Sequence, residues 1–175
     1  MFYRLTNGII GAILLGLCLQ SQPADALWER CVQKKSDAWI IKKSKRVKKS
    51  SDQLMLIKEM GLRRSRDFIQ PLITYSESEL VPVRQAAFNA LAGFGPSLLN
   101  GEDGPRDQAY LKGLEDSNAA VRKISREALL ARLQSEFEVA YIRNNLVRKL
   151  QQSTDFRLQM ELIQILQWTK GEDID

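Results

Sequence analysis

Between Ile69 and Leu133 one pattern occurs twice. IQPLITYSESELVPVRQAAFNALAGFG, Ile69 to Gly95, is echoed by YLKGLEDSNAAVRKISREALLARL, Tyr110 to Leu133. A shift of 38 positions lays Val83 on Val121, Arg84 on Arg122, Ala87 on Ser125, Ala90 on Ala128 and Leu91 on Leu129. A fixed period of this length marks a unit that cannot bury its apolar face alone and must stack on its neighbours. The apolar spacing inside each copy is that of helices, and Gly and Pro are sparse and clustered at candidate turns. The chain is therefore expected to be all-α.

Composition narrows the chemistry. The 175 residues contain no histidine, which removes the commonest general base, the commonest metal ligand and every Ser-His or Cys-His arrangement. Two cysteines, Cys18 and Cys31, are too few for a four-thiolate metal site. No nucleophile–base pair or metal set can be assembled, so the expectation is a non-catalytic protein with no cofactor. The net charge of +5 hides an asymmetry. From Leu27 to Arg66, Lys and Arg outnumber Asp and Glu thirteen to four; from Asp67 onward, twelve face sixteen. A basic segment ahead of an acidic body points to an electrostatic contact made by one end.

Residues 1–26 read as a secretory signal peptide: Arg4, the apolar run Gly8 to Leu19, then the small-residue site Ala24-Asp25-Ala26. The competing reading is a retained anchor helix, although the run is short of the ~20 residues that cross a bilayer. Export places the protein in the periplasm or outside the cell. Residues 27–66 form a basic helical extension. Leu27 to about Lys49 is expected to be one helix, with Trp28, Cys31, Val32 and Trp39 on its apolar face. Ser50 to Gln53 matches a capping box for a second, ending near Gly61.

The repeat domain spans 67–170. Pro71 is placed inside its first helix. Val83, Ala87, Ala90, Leu91 and Phe94 line the buried face of the second. Residues 96–105 form the longest loop, and Asp116-Ser117-Asn118 a tight turn. Glu136 to Gln152 and Thr154 to Thr169 read as a third pair, in which Arg157 takes the arginine place and Met160 and Ile163 replace the alanines. Residues 171–175 are a polar tail.

Ile-Gln-Pro-Leu, Val83-Arg84, Ala87, Ala90-Leu91 and their counterparts resemble the HEAT repeat, including the HEAT-like repeats named after phycobilisome lyases. Pro71 fits that pattern's proline, Arg84 and Arg122 its arginine, and Asp116 its turn aspartate; Ser78 stands where an acid is expected. The resemblance implies a short αα superhelix of helical hairpins used as a binding scaffold. It implies structural roles for Arg84 and Arg122, which would bond turn carbonyls and a neighbouring aspartate. Iron-binding members resembling deoxyhypusine hydroxylase use His-Glu pairs, which a chain without histidine cannot supply. The cytoplasmic setting of bilin lyases conflicts with export.

Two binding readings follow. Gln85, Asn89, Lys123 and Glu127 lie between the buried positions of the second helices, on what would be the concave, partner-binding face of a superhelix. The basic run Lys34 to Lys49, with Lys42, Lys43, Lys45, Arg46, Lys48 and Lys49 at its heart, suits an anionic membrane surface or envelope polymer. It contains one aromatic, Trp39, so the stacking platforms that single-stranded nucleic acid needs are missing, and no nucleic-acid partner is expected.

Overall fold

The computed structural model of the chain describes residues 24–94, 104–134 and 139–168, and every regular element among them is helical. The predicted leader lies outside the described residues, except that Ala24-Asp25-Ala26 opens helix α1, Ala24–Gln33. This helix belongs to a unit ending at Ser36, and a second compact unit begins at Asp37. Cys31, expected to be buried, is exposed: it follows Arg30 and precedes the buried Val32, and the solvent-facing side of the helix takes it.

The single helix expected from Leu27 to Lys49 is broken twice. The chain turns at Lys34 to Ser36, and α2, Asp37–Ser44, starts afresh with an acidic first turn. It stops before the densest cations. Lys42, Lys43, Lys45, Arg46, Lys48 and Lys49 would stack like charges at i,i+3 and i,i+4, each pair opposing the helix by a few tenths of a kcal/mol. Helix α3, Ser50–Arg63, follows. Lys49 sits at its N-cap without a side-chain bond, so the predicted capping box does not form.

Gly61 does not end α3. A Cβ there would stand 3.1 Å from the Ala90 Cβ, so this glycine lets another helix come close. The helix ends two residues later at Arg63, and the C-cap Arg64 lies in the left-handed region at φ 53°, with its amide donating to the Met60 carbonyl. A short 3₁₀ turn, Arg66–Phe68, leads into α4, Ile69–Ser76. Pro71 thus falls in a first turn, where its missing N–H costs nothing, and not inside a helix as the sequence suggests.

The remaining helices are α5, Val81–Ala92; α6, Gly104–Gly113; α7, Ala119–Leu133; α8, Val139–Gln152; and α9, Phe156–Trp168. They pair as α2 with α3, α4 with α5, α6 with α7 and α8 with α9. The second helices also touch in series, α3 on α5, α5 on α7 and α7 on α9, while α4 meets α6. Their apolar faces make the core: Leu56, Ile57 and Met60 from α3; Val83, Ala87, Phe88 and Leu91 from α5; Val121, Ala128 and Leu129 from α7; Leu158, Leu162 and Ile165 from α9.

One hydrogen bond recurs in all four pairs. The side chain at the first turn of each second helix donates to the carbonyl six residues back: Gln53 Nε2 to Val47 (3.1 Å), Arg84 Nη1 to Ser78 (2.9 Å), Arg122 Nη1 to Asp116 (2.9 Å) and Gln159 Nε2 to Ser153 (2.7 Å). These positions are spaced by 31, 38 and 37 residues. The α2–α3 pair thus shares this bond with the three pairs that follow it.

The same register corrects the last pair. Gln159, not Arg157, takes the arginine place; Arg157 is exposed and reaches only Asp155. Met160 is exposed rather than buried, and Ile163 is only half-buried. Asp155 Oδ1 caps the amides of Arg157 and Leu158, as Asn118 Oδ1 caps Ala120 and Val121. Trp168, the last residue of α9, is 64% exposed.

Candidate functional site

The turns that join each pair hold the pairs to one another. Arg84 of α5 spans to the next turn and grips Asp116 with two hydrogen bonds, Nε to Oδ2 at 2.7 Å and Nη2 to Oδ1 at 2.9 Å. Asp116 Oδ1 also accepts the Asn118 amide at 2.7 Å. Arg122 repeats the reach one pair on, to Glu161 at 3.6 Å, because Ser153 holds the place of the turn acid there. A second lock recurs beside the first. Glu77 pairs with Lys112 of α6, and Glu115, its equivalent, pairs with Lys149 of α8. Arg84 and Arg122 therefore serve the architecture.

Burial pulls the Asp116 pKa upward, but the Arg84 hydrogen bonds, the Asn118 amide and the charges of Arg84 and Arg122 outweigh it and hold the carboxyl below its ordinary value. The Arg84 guanidinium is raised by the same bond, against its own burial. A carboxyl with a lowered folded pKa contributes stability above its unfolded value of about 3.9, and that stability is lost as pH falls towards the folded value. Thermal melts from pH 5 to pH 3 are expected to fall more steeply for the wild type than for Asp116→Asn, which has lost this linkage. Parallel slopes contradict the pairing.

Pair three carries a lock with no counterpart in the sequence pattern. Asp107 of α6 and Arg132 of α7 are both buried, and Arg132 donates through Nε at 2.8 Å and Nη2 at 3.1 Å. Arg106 beside it is buried and donates to the Phe94 carbonyl at 2.9 Å. In the first pair, Arg63 joins α3 to α2 through Asp37 at 2.8 Å, while its Nε holds Glu59. Tyr75 donates to the Ser44 carbonyl at 3.1 Å, and burial pushes its phenol up to about 12.

With these charges committed to structure, the free surface divides in two. Along the second helices, Asn89, Lys123 and Glu127 are exposed and Gln85 is half-buried; Lys123 and Glu127 stand 3.8 Å apart on one helix face. At the basic end, Lys42, Lys45, Arg46, Lys48 and Lys49 are exposed and Lys43 is half-buried. Lys42 and Lys43 sit in the last turn of α2, and the other four occupy the irregular connection to α3.

Two grooves open on the second-helix surface. One, about 400 Å³, lies between α3 and α5 and is lined by Leu54, Ile57, Leu62, Ala86, Ala90 and Gly93, with Lys58, Arg64 and Asn89 at its edges. The other, about 460 Å³, lies between α7 and α9 and is lined by Leu130, Ile165 and Trp168 with Arg126, Gln164 and Gln167. Among the described residues no group of His, Cys, Asp and Glu is placed to hold a metal ion, and no helix is long and apolar enough to cross a membrane. No protein-family model matches the chain, and no curated protein matches it.

Proposed function

We propose that this chain is a non-catalytic adaptor, a short αα superhelix of HEAT-like pairs that binds another protein along its row of second helices. The observation that carries this reading is the recurrence of one side-chain-to-carbonyl bond in four successive pairs, with the second helices in unbroken contact. Such a row offers a long surface whose members are held in fixed register, the property that repeat stacks use in binding. In keeping with the leader-like residues 1–26, the adaptor works after export, in the periplasm or beyond.

A second reading rests on the basic end. Five of its six cations are exposed, and Lys45 to Lys49 lie outside a helix, where they can adapt to an anionic membrane surface or envelope polymer. Each lysine close to an anionic surface contributes about 1 kcal/mol, and salt screens the contact steeply.

One set of variants separates the two. Replacing Lys42, Lys45, Arg46, Lys48 and Lys49 by Gln is expected to leave protein association within twofold of wild type at physiological salt, whereas Lys123→Glu with Asn89→Arg is expected to weaken it at least tenfold. The reverse pattern, with loss of sedimentation on anionic vesicles in the five-Gln variant, would replace the adaptor reading with the surface-binding one.

A further inference from the structure

Leu62, Gly93, Ala131 and Trp168 occupy one place in the four pairs, each nine residues after the side chain that makes the recurrent bond. The two middle members are the smallest residues available, and the two outer members are large and mostly in solvent, Leu62 at 66% and Trp168 at 64%. The outer members each wall one of the two grooves, and the small ones keep the surface between them low. Two apolar recesses on one otherwise polar row are thus separated by two helix spacings, about 16–20 Å at the usual 8–10 Å between packed helices.

Charge identifies what would fill them. Lys58 and Arg64 edge the first groove and Arg126 the second, and among the described residues no carboxylate lines either. A basic or neutral apolar ligand would forgo that field; a lipid surface would find the larger cation density at Lys42 to Lys49. A second copy of this chain would bring its own Lys58, Arg64 and Arg126 against these. We infer that the second-helix row binds an acidic polypeptide segment with two apolar anchors, one seated between α3 and α5 and the other between α7 and α9. The anchors stand about 11–13 residues apart if the segment is helical, at 1.5 Å per residue, or about 5–6 apart if it is extended. The inference rests on the adaptor reading and names its partner's chemistry.

The test uses the purified full chain and two synthetic fluorescent peptides, both rich in Glu and each with two Leu anchors, one at the helical and one at the extended spacing. Lys-for-Glu versions are the controls. Fluorescence anisotropy is expected to show binding of one acidic peptide and at least tenfold weaker binding of its basic version. Gly93→Leu fills the first groove. Its backbone, at φ −71°, accepts a side chain, and the atoms nearest the new Cβ are the Ala90 carbonyl oxygen, close at 3.3 Å, and the Arg64 guanidinium at 3.8 Å. This variant, and separately Leu62→Glu with Arg64→Glu on the exposed surface, are expected to weaken the peptide at least tenfold with an unchanged helical spectrum. Trp168→Ala is expected to weaken it by a similar factor from the other groove.

The inference is overturned if neither acidic peptide binds, if the basic versions bind equally, or if the groove variants bind like wild type. It is also overturned if the groove variants lose only self-association or only binding to anionic vesicles, which would make the occupant a second copy or a lipid surface. Failure of the peptides while the Lys123→Glu, Asn89→Arg variant still weakens protein association removes the acidic-anchor claim and leaves the adaptor reading standing.

Discussion

Leu129→Asp is expected to abolish the cooperative thermal melt of the chain. Leu129 is fully buried on α7, the helix that meets α5, α6, α8 and α9. A carboxylate there loses the apolar transfer energy of a leucine, leaves a partial cavity and takes a charge out of water. The sum is about 5 kcal/mol or more, against the 5–15 kcal/mol that holds a typical domain together. Leu91→Asp, at the equivalent place on α5, is expected to behave alike. A melt like the wild type's for either variant removes its helix from the core.

Gly113→Ala tests a closer tolerance. At most helical positions this change stabilises, by up to about 1 kcal/mol, because alanine restricts the unfolded chain and favours the helix. Here the new Cβ would fall on Ser125 Oγ and come within 2.8 Å of Phe88 Cζ. The last residue of α6 is the floor on which the second helices of pairs two and three rest. The overpacking is expected to outweigh the propensity gain and destabilise by about 1–3 kcal/mol, a fall in melting temperature of several degrees. Ser125 is fully buried and its hydroxyl makes no hydrogen bond, so Ser125→Ala should stabilise the wild type and recover part of the Gly113→Ala loss. A Gly113→Ala melting temperature at or above wild type would show that this approach is not as close as it stands.

The helices of pairs two and three are legible in the sequence because their apolar spacing and their Val-Arg signal coincide, and in pair three the Asp-x-Asn turn adds to both. The α2–α3 pair is not, for a physical reason: the recurrent bond needs only a donor long enough to reach the carbonyl, and Gln53 provides one without resembling Arg84. In the last pair Gln159 does the same, while Arg157 two residues earlier offers a misleading match. The signal that would have fixed the register is the turn: Ser153-x-Asp155 stands to Gln159 as Asp116-x-Asn118 stands to Arg122. The basic run misleads in another way. Its composition favours a helix residue by residue, but its crowded like charges break it. The Asp107–Arg132 pair joins residues 25 apart within a single pair, so no periodicity announces it. Of the candidate binding residues, Asn89, Lys123 and Glu127 are exposed and Gln85 is half-buried. The grooves beside them depend on Gly61, Leu62 and Trp168, and the sequence assigns the first to a helix end.

The most direct test of the proposed binding surface is position-specific photo-cross-linking in an envelope extract. A photoreactive residue is placed in turn at Asn89, Lys123 and Gln164 on the second helices, and at Gln70, Asn144 and Gln151 on the first helices, all exposed. The account predicts one protein adduct shared by the three second-helix positions, competed by the unlabelled wild-type chain and missing from the first-helix positions. An adduct formed from the first helices, with none from the second, would contradict it.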